Sequence, residues 1–148
     1  MNYCLESIKT LRTEIYPLFE AAWNEVDQCA EHMPLDPDWE RTEMLEDMGM
    51  WRTYTLRTDE KELVGFICVL VQPLLHSKNH FHAFTDVAYV KPEHRGQFKK
   101  LLAIAEDDLK EEGVTWFSFV LKSWDKRGAF LEDMGYVLHE NNYQKKVN

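Results

Sequence analysis

Residues 87 to 109, "VAYVKPEHRGQFKKLLAIAEDDL", have the makings of an anion site. An apolar run ends at Lys91-Pro92, Arg95-Gly96 follows, and a long helical pattern begins. Such a turn aims unpaired N–H groups and the positive end of a helix at whatever lies before it, which suits a phosphate or diphosphate. Loops of this kind usually carry more glycines, because side chains hold the backbone away from a ligand. Here Gln97, Phe98, Lys99 and Lys100 stand in those places. The two lysines would bring charge to a diphosphate, or would be solvated on an exposed helix face. Phe98 is most simply a core anchor.

Other polar groups precede this stretch. His76, His80 and His82 cluster ahead of Asp86. His80 and His82 would share a strand face, since side chains repeat every two residues. A metal needs three or four converging ligands, and no cysteine pair helps, so no metal is expected. A histidine lining an acceptor pocket is the better use, with His76 favoured; otherwise these are surface residues. Asp86 is a carboxylate on the strand before Arg95-Gly96, and Asp125 a helix cap. Nucleophile elbow, Walker lysine, zinc-finger spacing and dinucleotide fingerprint are all missing.

The formal charge of −9 over 148 residues disfavours nucleic acid, whose phosphates need a basic stripe. It suits a cationic partner such as an amine metabolite, a basic peptide, or a protein lysine or N-terminus. It also serves solubility alone. No apolar run reaches membrane length and no signal pattern opens the chain. Cys4, Cys29 and Cys68 are odd in number and far apart, so a reducing cytoplasm is the default. The length fits one domain, 1–148, with enough apolar and aromatic residues for a core; a homodimer is left open.

The elements that must position these groups follow from periodicity. Ile8 to Gln28 reads as a helix, with a kink or break at Pro17. Asp36 or Asp38 would cap a second helix from Trp39 to Met48. "LEDMGM" and "LEDMGY" each look like a helix end stopped by glycine, Gly49 and Gly135. Trp51 to Arg57 alternates like a strand, and Leu63 to Gln72 is a run buried on both faces. Phe81 to Val90 is a second long strand. Gly96 to Glu112 is the strongest helix, closed by Gly113. "VTWFSFVLK" reads as a strand, residues 125 to 134 as a helix capped by Asp125, and "YVLHENNYQKKV" as a final strand or hairpin. The order gives a mixed α/β sheet in one layered domain.

This order resembles the GNAT superfamily of acyl-CoA-dependent N-acyltransferases, most nearly its small phage and prophage members. The resemblance rests on "LDPDWE", "ELVGF", "PLLH", "DVAYVKPEHRG", "LAIAEDDLKEEGV" and "FLEDMGYVLHENNYQKK", and covers nearly the whole chain. It implies an α+β fold with a mostly antiparallel twisted sheet, helices on both faces and a splayed central strand pair. It implies acetyl-CoA as co-substrate, its pantetheine arm along Val87, Ala88, Tyr89 and Val90. The diphosphate would meet Arg95, Gly96, Gln97, Phe98, Lys99 and Lys100. Asp86 falls near the family's acidic base, where it would take the amine's proton or hold an ammonium; its structural alternative is a capping or ion-paired Asp.

Two departures follow. The family's Arg-Gly-x-Gly-x-Gly or Ala loop is here shorter and lacks its later glycines. The tyrosine that protonates the departing thiolate is matched by Leu131, so the thiolate would leave to water or use another donor; Tyr143 is the candidate substitute, its alternative being a packing aromatic. The implied function is amine N-acetylation in a ternary complex. The alternative is a catalytically inactive phage protein that binds another protein, as a virion component or host-directed effector. A catalyst should keep a V-shaped cleft with Asp86 at its base; a binding protein should have it plugged by Phe98 or Trp124.

Overall fold

The computed structural model describes residues 1–26, 33–145 and 147. An edge strand, β1 (Asn2–Leu5), leads into α1 (Ile8–Val26) and α2 (Trp39–Asp47). Three antiparallel strands follow, β2 (Trp51–Arg57), β3 (Leu63–Pro73) and β4 (Phe81–Val90). A 3-10 turn over Pro92–Gln97 opens α3 (Phe98–Glu111), and the chain closes with β5 (Trp116–Ser118) and α4 (Gly128–Asp133). The sheet runs β1-β2-β3-β4-β5, antiparallel throughout except for the parallel β4–β5 pair. Thus the mixed, mostly antiparallel α+β sheet that the sequence implied is present.

The periodicities dictate the layers. In α1 the stripe Ile8, Leu11, Ile15, Leu18 and Ala22 is buried, and its first four residues pack with Phe66 and Cys68 of β3 on one face of the sheet. On the other face Leu101, Leu102, Ala105 and Leu109 of α3 meet Val64, Ile67, Val69 and Val71. Consequently β3 is buried almost end to end, as its unbroken apolar run demands. Asp38 caps α2 by accepting from the Arg41 N–H at 3.0 Å. Gly49 (φ 74°) and Gly135 (φ 93°) close their helices in the left-handed region, where other residues are strained.

Several expectations are corrected. Pro17 does not divide α1: it removes one hydrogen bond, while Ile15 and Leu18 on either side of it are buried. Gln28, the expected end of that helix, and Cys29 lie outside the described residues. The helix expected from Gly96 begins at Phe98, because Pro92 starts a tighter turn first. The expected nine-residue strand shrinks to β5, since past it the Val120 N–H donates to the Thr85 hydroxyl (2.8 Å) instead of continuing the ladder. Asp125 does not cap α4; Arg127 is the residue before that helix. No strand forms in residues 136–145, where Val137 and Leu138 stand exposed. A strand needs a partner edge, and no described residue supplies one. Conversely, β1 was not anticipated: four residues are too few to show a period.

Candidate active site

The site begins with a register change. Cys68 pairs with Val87 and Val69 with Thr85, so Asp86 is an extra residue in β4, a β-bulge. Its effect on direction is legible in the packing. Ala83 and, after the bulge, Ala88 and Val90 face α3, whereas Val87 and Tyr89 face α1 and α2. Parity therefore changes across 86–87, and Asp86 falls on the α1 side beside Cys68.

Asp86 is exposed in accessible surface, yet enough protein surrounds it that burial raises its pKa. The two facts agree for a carboxylate that water reaches from one side while protein packs around the rest. The Cys68 thiol is pushed well up, by burial first and by the Asp86 charge second, so it stays protonated and inert.

Beyond the bulge the sheet opens. The β4–β5 ladder ends at Phe84 and Ser118, leaving residues 87–90 bonded to β3 on one edge only. A cavity of about 560 Å³ occupies this opening, within the roughly 300–1,000 Å³ range of small-molecule pockets. Ala88, Tyr89, Val90, Arg95 and Phe98 form one side, and Trp124, Lys126, Arg127 and Phe130 the other. Phe98 packs edge-on to Phe119 (5.8 Å) and against Phe130 (5.9 Å) beneath it. Phe98 and Trp124 thus line the cavity without filling it. Asp86 is not among the lining residues, contrary to the expectation that it would form the base of the cleft. The bulge turns it to the neighbouring face, two residues ahead of Ala88.

The loop before α3 is busier than its sequence suggests. Arg95 donates two bonds to the Glu25 carboxylate (2.6 and 2.7 Å). Gln97 accepts from the Tyr3 hydroxyl at 2.6 Å, and the Lys100 ammonium lies 4.8 Å from the centre of the Tyr3 ring. Lys99 is exposed. Within the turn, the His94 N–H donates to Lys91 and the Phe98 N–H to Arg95. Gly96 has bare backbone toward open space: a Cβ there would meet nothing within 4 Å.

Across the cavity, Asp125 accepts from the Arg127 backbone (2.9 Å) and from its guanidinium (2.5–3.0 Å). Burial alone would raise the Asp125 pKa, but these bonds outweigh it and hold it low. Leu131 is buried in the core beneath.

The remaining sequence candidates lie apart. His76 is exposed in the β3–β4 connection and does not line the cavity. His80 bonds Thr115 at 2.9 Å and His82 bonds Ser118 at 2.7 Å, tying β4 to its neighbour. Among the described residues no three His, Cys, Asp or Glu side chains group as metal ligands. Tyr143 is 93% exposed in the irregular C-terminal stretch, with no contact to the cavity. Glu25, Lys126 and Arg127 were missed by the sequence reading. The charge cluster in "WDKRG" was visible, but no periodicity places it on a cavity.

A bulged β4, an open strand edge and a helix behind a basic turn decide the comparison. The model of the acetyltransferase (GNAT) family matches residues 10–136. The chain belongs to the GNAT acetyltransferase family. Its fold is similar to that of a ribosomal-protein-alanine N-acetyltransferase from Brucella melitensis biovar Abortus 2308, at 20% identity, TM-score 0.71 and 99% coverage of both chains. It is similar to an aminoglycoside antibiotic 6'-N-acetyltransferase from Acinetobacter baumannii, at 17% identity and TM-score 0.73, covering 99% of this chain and 97% of that one. A Trypanosoma brucei acetyltransferase matches at 17% identity and TM-score 0.69 over 99% of each chain. No protein of curated function matches the sequence. At these identities the solved structures speak for the fold, and the GNAT model for the family. No helix among the described residues is long and apolar enough to cross a membrane.

Proposed function

We propose that this GNAT protein is an acetyl-CoA-dependent N-acetyltransferase that acts on an amine by direct transfer in a ternary complex. One observation carries the reading: the bulge at Asp86 and the end of the β4–β5 ladder coincide, so a carboxylate and a free strand edge stand two residues apart. The residues fit the co-substrate. The open edge at Ala88, Tyr89 and Val90 suits the amides of a pantetheine arm, and the bare backbone at Gly96 leaves room for phosphate.

Bound acetyl-CoA supplies the acyl thioester. Asp86 holds the acceptor's ammonium by charge and takes its proton, directly or through water, freeing the nitrogen lone pair for attack. Its raised pKa brings it nearer the range in which a general base is effective. Leu131 has no proton to give, so solvent protonates the departing sulfur. The chain's charge of −9 favours a cationic acceptor, whether a small amine or a protein lysine or N-terminus. Two structural neighbours are named for amine acceptors. Kinship with the phage and prophage members rests on motif resemblance, and a cytoplasmic setting on the three scattered cysteines.

A second reading, a GNAT fold kept for binding a protein, draws support from one fact. Arg95, Gln97 and Lys100 are all engaged with other side chains. One experiment separates the two. Melting is followed with millimolar acetyl-CoA, and with ATP as control. At a hundredfold excess over Kd, acetyl-CoA should raise Tm by about 5 to 11 °C, with no rise for ATP. Thiol release is then screened across amines. Absence of any acetyl-CoA shift overturns the catalytic reading and favours the second.

A further inference from the structure

We infer that the charge anchoring the phosphate end of the thioester has moved across the cavity, from the loop before α3 to Lys126. This rests on the acetyltransferase reading above.

Among the described residues three cations and two carboxylates line the cavity: Arg95, Lys126 and Arg127 against Glu25 and Asp125. Four of the five neutralise one another in pairs, Arg95 with Glu25 and Arg127 with Asp125. Among the described residues Lys126 forms no ion pair, so within the described lining it carries the net charge of +1 (three minus two). In a chain of net charge −9, such a local inversion of sign is where a polyanion would settle.

The loop is poorly placed to compete. Its Arg95 must leave a bidentate carboxylate before it can take a phosphate, and a bound anion there would face Glu25. Lys100 lies over the Tyr3 ring, Gln97 accepts from the Tyr3 hydroxyl, and Lys99 does not line the cavity. What the loop keeps is an uncluttered backbone at Gly96, next to the lining residue Arg95. What the opposite side supplies is charge. Asp125 helps indirectly: it holds Arg127 through three side-chain contacts and one backbone bond, which fixes the turn that presents Lys126. A phosphate would then lie beside Lys126, with the uncharged arm running along β4.

The test separates phosphate from arm by titrating two ligands, acetyl-CoA and S-acetyl-pantetheine, which has no phosphate, by calorimetry. Lys126→Ala should weaken acetyl-CoA by about five- to tenfold and leave S-acetyl-pantetheine unchanged, and Lys126→Arg should restore the affinity. Lys122→Ala, which removes the same charge from the same segment outside the cavity, should change neither. The inference is overturned if Lys126→Ala binds acetyl-CoA like the parent, if it loses both ligands equally, or if Lys99→Ala carries the loss instead. If the parent binds S-acetyl-pantetheine and acetyl-CoA alike, the phosphates are not held and the inference also fails, while the acetyltransferase reading stands. If the parent binds neither, both fail together.

Discussion

The two sides of the cavity are held by different kinds of contact. The β4 side is laddered to β3, whose residues are buried against helices on both faces. The opposite side, Trp124 to Phe130, is shaped by bonds that reach two to four residues along the chain, with Phe130 and Leu131 anchoring it from below. A wall held by long-range pairing unfolds only with the sheet, whereas one held locally opens at lower free energy. On the proposed reading this would divide the labour: the rigid side would position Asp86, and the local side would adjust to a ligand's charged end.

The sharpest way to strain that comparison is at the bulge. Asp86→Asn should lower kcat/KM by about 10²- to 10⁴-fold, the usual worth of a general base, while acetyl-CoA binding survives. The same variant should be the more stable one at neutral pH. Burial raises the folded-state pKa, so this group's contribution to stability is full below the ordinary Asp value of 3.8 and is lost as pH rises through the folded value. Urea unfolding of parent and variant at pH 7 checks this, and a variant that is both slow and less stable would reassign Asp86 to structure. Activity of the parent should rise with pH along a limb above the ordinary carboxylate range.

A smaller effect tests the rigid wall itself. A Cβ on Gly65 would meet the Val90 side chain at 2.7 Å and the Tyr89 carbonyl at 3.1 Å. Gly65→Ala should therefore cost about 1–3 kcal/mol by overpacking, and displace the strand edge that lines the cavity. Denaturant midpoints and acetyl-CoA affinity should fall together.

On the local side, Asp125→Asn should cost less, within about 1 kcal/mol for an ion pair with one partner in solvent. Its signature is the pH dependence. Because Arg127 holds the folded-state pKa low, the difference between parent and variant should be present above pH ~4 and vanish as pH falls through the depressed value. Smallest of all, Glu25→Gln should release Arg95 and tighten acetyl-CoA by about two- to threefold. Weaker binding in that variant would mean the Glu25–Arg95 pair shapes the loop.

Much of the frame was legible in the chain. β4 begins and ends at Phe81 and Val90 as its composition suggested, because a β-rich run ending in Lys-Pro has few alternatives. The caps at Gly49 and Gly135 were legible for a similar reason, since left-handed backbone belongs to glycine. The bulge was not visible in the residues themselves. Nothing local marks Asp86 as the extra residue; it is extra only against the register of β3. The final strand failed in the opposite sense, having strand composition and no partner.

By itself, then, the sequence determined the helices, the central strands, their order and hence the family frame, because periodicity, capping and turn chemistry act over a few residues. It placed Arg95, Lys99 and Lys100 near one another, but not what they would touch. Only the tertiary structure brought Glu25 to Arg95 across 70 positions and Tyr3 to Gln97 across 94. Only it set Lys126 and Arg95 on one cavity. Charges interact through space, so their partners are chosen by the packing of distant elements, and the electrostatics of the cavity became readable only after the sheet had closed around it.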